Sequence, residues 1–414
     1  MLEQIEGSLG VAKAVALCRP SVVCAYPISP QTHIVENVGK FVKNGTLKDC
    51  DFLNVESEFS AISVAIGSEV GGARTYTATA SQGLLYMTEG VYSASGLGLP
   101  IVMTVASRAI GGPINIWNDH SDSLSQRDSG WLQLFCESNQ DAVDTHIMAF
   151  KIAEEVGLPV MVCMDGFVLT HAFERLDIPS QETVDKFLPE YQPREYLTPK
   201  EPVSIGAMVG PEAFTEVRFL QQRKMAKALK VIEKVTKEYR DLTGSKSGGL
   251  LDCYNCENAD LKLVIMGSTV GTAKDEIDRL KAEGINVGII SLKSFRPFPY
   301  EAMAKAIGDT KKVICLERAF SFGARGIVCP EVKRAMEGKN CDVKTVVAGL
   351  GGRPIFGTTI RGIVKDALAD KFTEEFTWFD VNADVLNSYT DKTEGVTFKN
   401  GPIAQSVLEN SVKD

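Results

Sequence analysis

VVCAYPISP, residues 22–30, is the stretch on which the fold turns. A short run rich in β-branched and apolar residues, 22–26, breaks at once into a turn holding two prolines, the pattern of a buried strand that ends in a tight loop. Working outward, the same unit repeats. Candidate strands at 51–55, 74–78, 101–105 and 160–163 alternate with candidate helices at 7–17, 33–42, 58–71, 83–95 and 142–156. Strands separated by helices long enough for right-handed crossovers predict a parallel sheet with helices on its faces. One such α/β domain is expected over residues 1–185. Ligands of open parallel sheets bind beyond the carboxyl ends of the strands. The turns at 26–30, 56–58, 79–83 and 107–113 should therefore converge on one site.

Length and charge bound the remainder. With 414 residues, the chain predicts two or three domains. Hydrophobic residues at 44% and charged residues at 23% speak against a disordered or low-complexity architecture. A balance of 44 basic against 53 acidic side chains, net −9, disfavours a broad nucleic-acid or anionic-membrane surface. No apolar run approaches the roughly 20 residues that span a bilayer, and the opening MLEQIEGSLG lacks a basic segment followed by an apolar one. A cytoplasmic protein with no membrane span is expected.

Past residue 178 the character changes. A Pro-rich stretch at 189–202, a charged helical run at 215–242 and Thr243-Gly-Ser-Lys-Ser-Gly-Gly249 read as a connector, residues 186–259, with one long helix and a flexible junction. A second α/β unit is expected over 260–383, with strands at 261–266, 287–291, 312–316 and 343–348 and helices at 272–283 and 300–307. Residues 384–414 are polar and weakly periodic, and read as a tail or a partner-contacting arm. Gly267-Ser-Thr-Val-Gly271 follows a strand and opens a helix, so its N–H groups are placed to hold an anion. It lacks the third glycine of the dinucleotide fingerprint and the Lys-Ser/Thr of a P-loop, which favours a backbone role over a phosphate site. The turn Gly349-Leu-Gly-Gly-Arg353 carries a weaker signal still.

Ten cysteines are scattered along the chain, several inside apolar runs, as expected of buried reduced thiols rather than a disulfide framework. Cys253-Tyr-Asn-Cys256 is the only CxxC, and no second pair or nearby His-x3-His completes a zinc or iron–sulfur ligand set. It reads as a structural or incidental pair, the alternative being a redox site or a metal shared with a partner chain. No metal site is assigned to this chain.

The turn residues carry the chemistry: Ser29, the carboxylates Glu56 and Glu58, Ser81 and Gln82, Arg108, and Trp117-Asn-Asp-His-Ser-Asp122. Arg108 is flanked by apolar residues, where a guanidinium is costly to bury without a carboxylate or phosphate, so it points to an anionic ligand or a buried acid. Glu58 precedes Phe59-Ser-Ala-Ile-Ser-Val-Ala-Ile-Gly67, small and apolar on nearly all faces. A buried carboxyl at such a helix start is placed to hydrogen-bond a heterocyclic nitrogen.

Tyr26-Pro-Ile-Ser-Pro30, the Glu58 element, Thr79-Ala-Ser-Gln-Gly-Leu84, the Arg108 turn, residues 117–131 and Asp165-Gly-Phe-Val-Leu-Thr-His171 together resemble the alpha subunit of the thiamine-diphosphate-dependent 2-oxoacid:ferredoxin oxidoreductases. Ser294-Phe-Arg-Pro-Phe-Pro299 resembles the second domain of the same subunit. The resemblance covers about residues 1–185 and 260–370 in the family's order. It implies a pyrimidine-type thiamine-diphosphate-binding domain followed by a transketolase C-terminal-like α/β domain. Carried over by motif, Glu58 would contact N1′ of the aminopyrimidine and drive the tautomer that deprotonates the thiazolium carbon. Arg108 would hold the substrate carboxylate beside the Ser29 hydroxyl, with Tyr26, Pro27, Ile28, Pro30, Ser81 and Gln82 against the cofactor. Many relatives carry Thr where this chain has Ser29, which keeps the hydroxyl and loses a methyl.

The chain lacks a Gly-Asp-Gly and the cysteine quartets of 4Fe–4S clusters. The resemblance thus implies thiamine diphosphate shared with a diphosphate-binding beta subunit, and Mg²⁺ and iron–sulfur clusters on partners, including gamma and ferredoxin-like delta subunits. The expected reaction takes a 2-oxoacid and coenzyme A to acyl-CoA, CO2 and two electrons. Pyruvate is the expected substrate, with phenylglyoxylate or 2-oxoisovalerate as alternatives. From another class, the rivals are a non-catalytic scaffold of a thiamine complex and a thiamine transketolase or decarboxylase without redox function.

Overall fold

The computed structural model describes residues 2–384, so the tail expected at 384–414 lies, apart from Asp384, outside the described residues. The first half contributes strands β1 (Leu2–Glu6), β2 (Val22–Ala25), β3 (Asp51–Asn54), β4 (Thr75–Thr79), β5 (Val102–Ser107), β6 (Leu132–Phe135), β7 (Val160–Asp165) and β8 (Phe173–Asp177). The second half adds β9 (Leu251–Tyr254), β10 (Leu261–Ile265), β11 (Val287–Leu292), β12 (Ser294–Arg296), β13 (Lys312–Glu317), β14 (Asp342–Val347) and β15 (Phe376–Trp378). The first sheet has the order β12-β6-β7-β5-β4-β2-β3, parallel except for β12. The second has the order β15-β14-β13-β10-β11-β9, parallel except for β9. β1 and β8 form a separate antiparallel pair.

β5 and β7 lie side by side in the first sheet and are buried along their whole length. Helices on both faces remove any need for polar alternation, which is why these strands read VMTVAS and VMVCMD. Helices Gly7–Leu17, Thr32–Lys43 and Asn139–Val156 press Val11, Ile34, Ile147 and Phe150 into one core. Helix Glu58–Val70 and its neighbours fill a second core with Ala61, Ile62, Leu84 and Val91. That second core does not stop at the first sheet. Val105, Phe135 and Met161 share it with Val264, Ile290, Phe295 and Val313 of the second half, so the two sheets are joined by continuous apolar packing.

The long helix is Phe214–Thr243, whose 30 residues span about 45 Å at 1.5 Å each. It buries Val231, Ile232, Val235 and Tyr239 toward helix Asn139–Val156, and ends at Gly244, φ 75°. Three sequence expectations shift. The helix expected at 83–95 begins at Ser81 and divides into Ser81–Tyr86 and Thr88–Leu97, because Met87, φ −78° and ψ −7°, tightens the turn between them. β9 falls inside the stretch read as connector. Ser294–Arg296, read with the second unit, instead pairs antiparallel with β6 as an edge strand of the first sheet.

Candidate active site at the strand ends

Four strand ends meet, and the hydrogen bonds show how. The turn after β2 is tied to β4 by Gln31, whose Nε2 donates to the carbonyls of Tyr26 at 3.0 Å and Ala78 at 2.8 Å. Arg108, just past β5, reaches back to the β2 turn, where its Nη1 donates to the Ser29 carbonyl at 2.8 Å. The ends of β4 and β5 are held together by Asp122, whose Oδ2 accepts from the backbone N–H of both Ser81 and Arg108 at 2.9 Å. The end of β3 closes the ring at Gly83. A Cβ there would lie 2.7 Å from Glu58 Oε1 and 2.5 Å from Thr79 Oγ1, so only glycine lets the helix start come this close to the carboxylate.

Glu58 is the first residue of its helix, capped by Ser57, whose Oγ accepts from Ser60 N at 3.2 Å. Its side chain is buried, and no described residue hydrogen-bonds the carboxylate. Glu56 behaves differently. It is a solvated residue that takes the hydroxyl of Ser60, and this bond holds its carboxyl below the usual range. Of the two carboxylates singled out in the sequence, only Glu58 faces the converging turns.

Arg108 is 6% exposed, with Nε donating to the Asn115 carbonyl at 3.2 Å and Nη1 to Ser29. Burial pulls its pKa down and the nearby Asp122 pulls it up. Among the described residues no carboxylate forms an ion pair with it, and Nη2 carries no hydrogen bond. A buried guanidinium held by two neutral carbonyls and lacking an acid is a ready anion site. Ser29 is exposed with its hydroxyl unengaged by any described residue, Tyr26 and Pro27 are exposed, Ile28 is half-buried and Pro30 is buried. Ser81 adopts φ +50°, a left-handed conformation costly for a side-chain-bearing residue and over-determined here by Asp122. Gln82 lies beside it, its amide packed on Gly111.

Asp122 is the functional residue that sequence reading quoted without a role. It is fully buried and is pushed up to about 6 by burial, against the pull of the backbone N–H groups of Ser81, Arg108 and Ser123. The sequence signal was only its place in a polar run between two apolar ones.

The two glycine turns have partners within the chain. Asp165 at the end of β7 receives the Ser268 N–H at 2.9 Å, Arg318 Nη1 at 2.9 Å and His120 Nε2 at 2.8 Å. Burial by itself would raise this carboxyl, but His120 and Arg318 hold it well below the usual carboxylate range. The anion at the Gly267–Gly271 turn is thus the side chain of Asp165. In the Gly349–Arg353 turn, Gly351 is gripped by Asn115 and Asp119. In the CxxC the two thiols interact with each other, Cys256 holding the Cys253 thiol below its ordinary range. Cys253 is exposed and Cys256 half-buried, its thiol donating to Ile289 O at 3.1 Å. A cavity of about 670 Å³ is lined by none of the four strand-end turns; it lies beside Asp141 and Lys293, which pair with each other, and Asp144 and Tyr239, which do likewise.

Residues 13–237 match the family model described as pyruvate flavodoxin/ferredoxin oxidoreductase, thiamine diphosphate-binding, and residues 259–360 match pyruvate:ferredoxin oxidoreductase core domain II. The chain is 44% identical over 367 residues to pyruvate synthase subunit PorA of Methanosarcina barkeri, covering 87% of this chain and 91% of that one. It is 38% identical over 382 residues to ketoisovalerate oxidoreductase subunit VorA of Pyrococcus horikoshii, covering 91% and 97%. Among solved structures, 2-oxoglutarate:ferredoxin oxidoreductase from Magnetococcus marinus superposes with a TM-score of 0.66 at 21% identity, over 89% of this chain and 65% of that chain, a likeness of fold.

Proposed function

The chain belongs to the pyruvate flavodoxin/ferredoxin oxidoreductase family, and on that premise we propose that it is the alpha subunit of a multi-subunit enzyme converting pyruvate and coenzyme A to acetyl-CoA, CO2 and two electrons. The observation that carries the reading is the pairing of a buried, unengaged Glu58 carboxylate with a buried Arg108 that lacks an acid, on turns tied together at the strand ends. The residues present fit one end of thiamine diphosphate. Glu58, the hydroxyl of Thr79, which has no partner among the described residues, and the bare backbone of Gly83 form a small polar cradle suited to a heterocycle edge. They do not fit the diphosphate end, for which this chain has no Gly-Asp-Gly.

When bound, the cofactor supplies a carbon nucleophile and an electron sink for decarboxylation. Glu58 holds a proton at the aminopyrimidine nitrogen, geometry first and pKa second. Arg108 pairs the 2-oxoacid carboxylate through its uncommitted Nη2, and Ser29 offers a hydroxyl beside it. Tyr26, Pro27, Ile28, Pro30, Ser81 and Gln82 shape the wall, and Asp122 keeps the Ser81 and Arg108 turns in register. We assign Mg²⁺ and the diphosphate to a beta subunit and the iron–sulfur relay to gamma and ferredoxin-like delta subunits, in the cytoplasm. We divide the chain at 1–185, 186–259 and 260–383.

Pyruvate is favoured over a branched acid by the higher identity to the pyruvate synthase subunit, 44% against 38%. The test is a panel of pyruvate, 2-oxoisovalerate, 2-oxoglutarate and phenylglyoxylate on the intact complex, read as kcat/KM for viologen-dye reduction. Pyruvate should lead. A lead for 2-oxoisovalerate would move the substrate, and no reduction with any of the four would replace the enzyme by a scaffold.

A further inference from the structure

Among the described residues no side chain of the second α/β unit hydrogen-bonds the turns at 26–30, 56–58, 79–83 or 107–113, yet one of its turns is built against the segment that holds Arg108. Gly351 is gripped on both sides of its residue: its N–H donates to Asp119 Oδ2 at 3.0 Å and its carbonyl accepts from Asn115 Nδ2 at 3.1 Å. Asn115 is committed twice more. Its Oδ1 accepts from Trp117 N at 2.7 Å, and its own backbone carbonyl accepts from Arg108 Nε at 3.2 Å. The fit is tight: Gly351 has φ 57°, and a Cβ there would lie 2.5 Å from Asn115 Nδ2, while one on Gly352 would lie 2.3 Å from Trp117 Cβ. The same loop is pinned from behind by Arg318, whose Nη2 donates to the Asn118 carbonyl at 3.1 Å and whose own carbonyl receives the His120 N–H at 2.9 Å.

The consequence follows from the geometry of a guanidinium. Arg108 has a flexible stem and only two side-chain anchors, the carbonyls of Ser29 and Asn115. Ser29 is in the turn after β2 that Gln31 ties to β4, whereas Asn115 is in a loop whose neighbours Ile114, Ile116 and Trp117 are exposed, so the Asn115 anchor is only as fixed as the contacts that hold that loop. Within the first domain the loop is held by Ala109 N–H on the Trp117 carbonyl at 2.9 Å and by the Trp117 ring against Phe167, but the bonds to the Asn115 side-chain amide and to Asp119 come from Gly351 of the second unit. We propose that Asn115 and Gly351 are positioning residues for the substrate clamp, through which the second unit sets the direction in which Arg108 Nη2 points.

The proposal rests on Arg108 binding the 2-oxoacid carboxylate, and the experiment separates the two. Asn115→Asp keeps the acceptor for Trp117 and replaces the Gly351 donor by a second acceptor. Gly351→Ala pushes on the same bond from the other side. In the assembled complex each variant should raise KM for pyruvate and Kd for the unreactive analogue oxamate by about tenfold or more, since a displacement near 1 Å at a reacting group costs up to about 10²-fold. The apparent affinity for thiamine diphosphate, which Glu58 and the Ser81 turn serve, should stay within twofold of the parent. Combined, the two changes should cost little more than either alone, because both break one contact. Asn115→Ser, whose shorter side chain draws its donor away from the Gly351 carbonyl without adding charge, guards against a variant that fails to assemble. Arg108→Ala with unchanged oxamate affinity would remove the underlying reading. Arg108→Ala weakening oxamate while Asn115→Asp and Asn115→Ser leave it unchanged, or the two positions acting additively, would overturn the positioning role alone.

Discussion

Glu58 and Arg108 are both buried without the partner that burial normally demands. An ionised carboxyl or a guanidinium taken out of water is retained only if something repays its desolvation. For most buried charges in this chain the repayment is visible: Lys293 has Asp141 at 2.8 Å, and Arg74 has Glu154 at 2.7 Å. Glu58 and Arg108 have none among the described residues, which is why the missing partners are assigned to ligand. Arg108→Ala should raise KM for the 2-oxoacid and lower kcat/KM by about 10²-fold, the scale of a lost charge-assisted pair, measured by steady-state dye reduction. Asp122→Ala should destabilise the native chain by about 1–3 kcal/mol, because it strands buried N–H groups of Ser81, Arg108 and Ser123; urea unfolding monitored by circular dichroism checks this. Both charged residues were legible in the sequence from their apolar surroundings. Asp122 was not, since its role lies in contacts to residues 14 and 41 positions away, which no local pattern encodes.

At the scale of elements, glycine turns gave the clearest separation between what a sequence reading can and cannot reach. Gly267-Ser-Thr-Val-Gly271 does open a helix, and the N–H of its N-cap Ser268 takes a carboxylate, where the sequence favoured a purely backbone role. The identity of the anion, Asp165, depends on how two sheets are docked. The strand ends of the first sheet could be read from abrupt apolar-to-turn transitions, but β1, β6, β8, β9, β12 and β15 could not. Each is three to five residues long and lies at or next to a sheet edge, where half-polar runs such as LQLF or SFR carry no clear period. Gly267→Ala should be strongly destabilising, since φ is 73° and a Cβ would lie 2.8 Å from His120 and 2.9 Å from Asp165. The Asp165 cluster also sets an acid limit. Its carboxyl is held below the unfolded value near 3.9, so it stabilises the native state above that pH and the contribution fades as pH falls through the native pKa. The thermal midpoint should therefore fall below about pH 4. Asp165→Ala should cost about 3–5 kcal/mol at neutral pH by leaving Arg318 buried and unpaired, and should flatten the acid limb of the Tm profile.

As a whole molecule, the chain is two sheets sharing one apolar core, with Glu58, Arg108 and the unpartnered Thr79 hydroxyl at one set of strand ends, while other unpartnered buried polar atoms, such as the Glu69 carboxylate oxygens, lie elsewhere. Ten cysteines and a redox reaction invite a cluster within the chain. All ten thiols are free, and among the described residues the group of His, Cys and acidic side chains close enough to share an ion is Glu6, His33 and His171, which contains no cysteine. The electrons are accordingly expected to leave through another subunit. The fold class and the meeting of the four turns were legible because both follow from local strand–turn transitions; the docking of the units was not, because it is a property of surfaces that only the folded chain brings together. The central claim is that this chain supplies the proton-handling carboxylate and the carboxylate clamp of a shared thiamine active site. Its most direct test is pyruvate-dependent viologen reduction by the assembled complex carrying Glu58→Gln, with thiamine diphosphate content measured in the same sample. Turnover should fall by about 10²–10⁴-fold, the usual worth of a positioned acid–base group, while the cofactor remains bound. Near-normal turnover with bound cofactor would contradict the account.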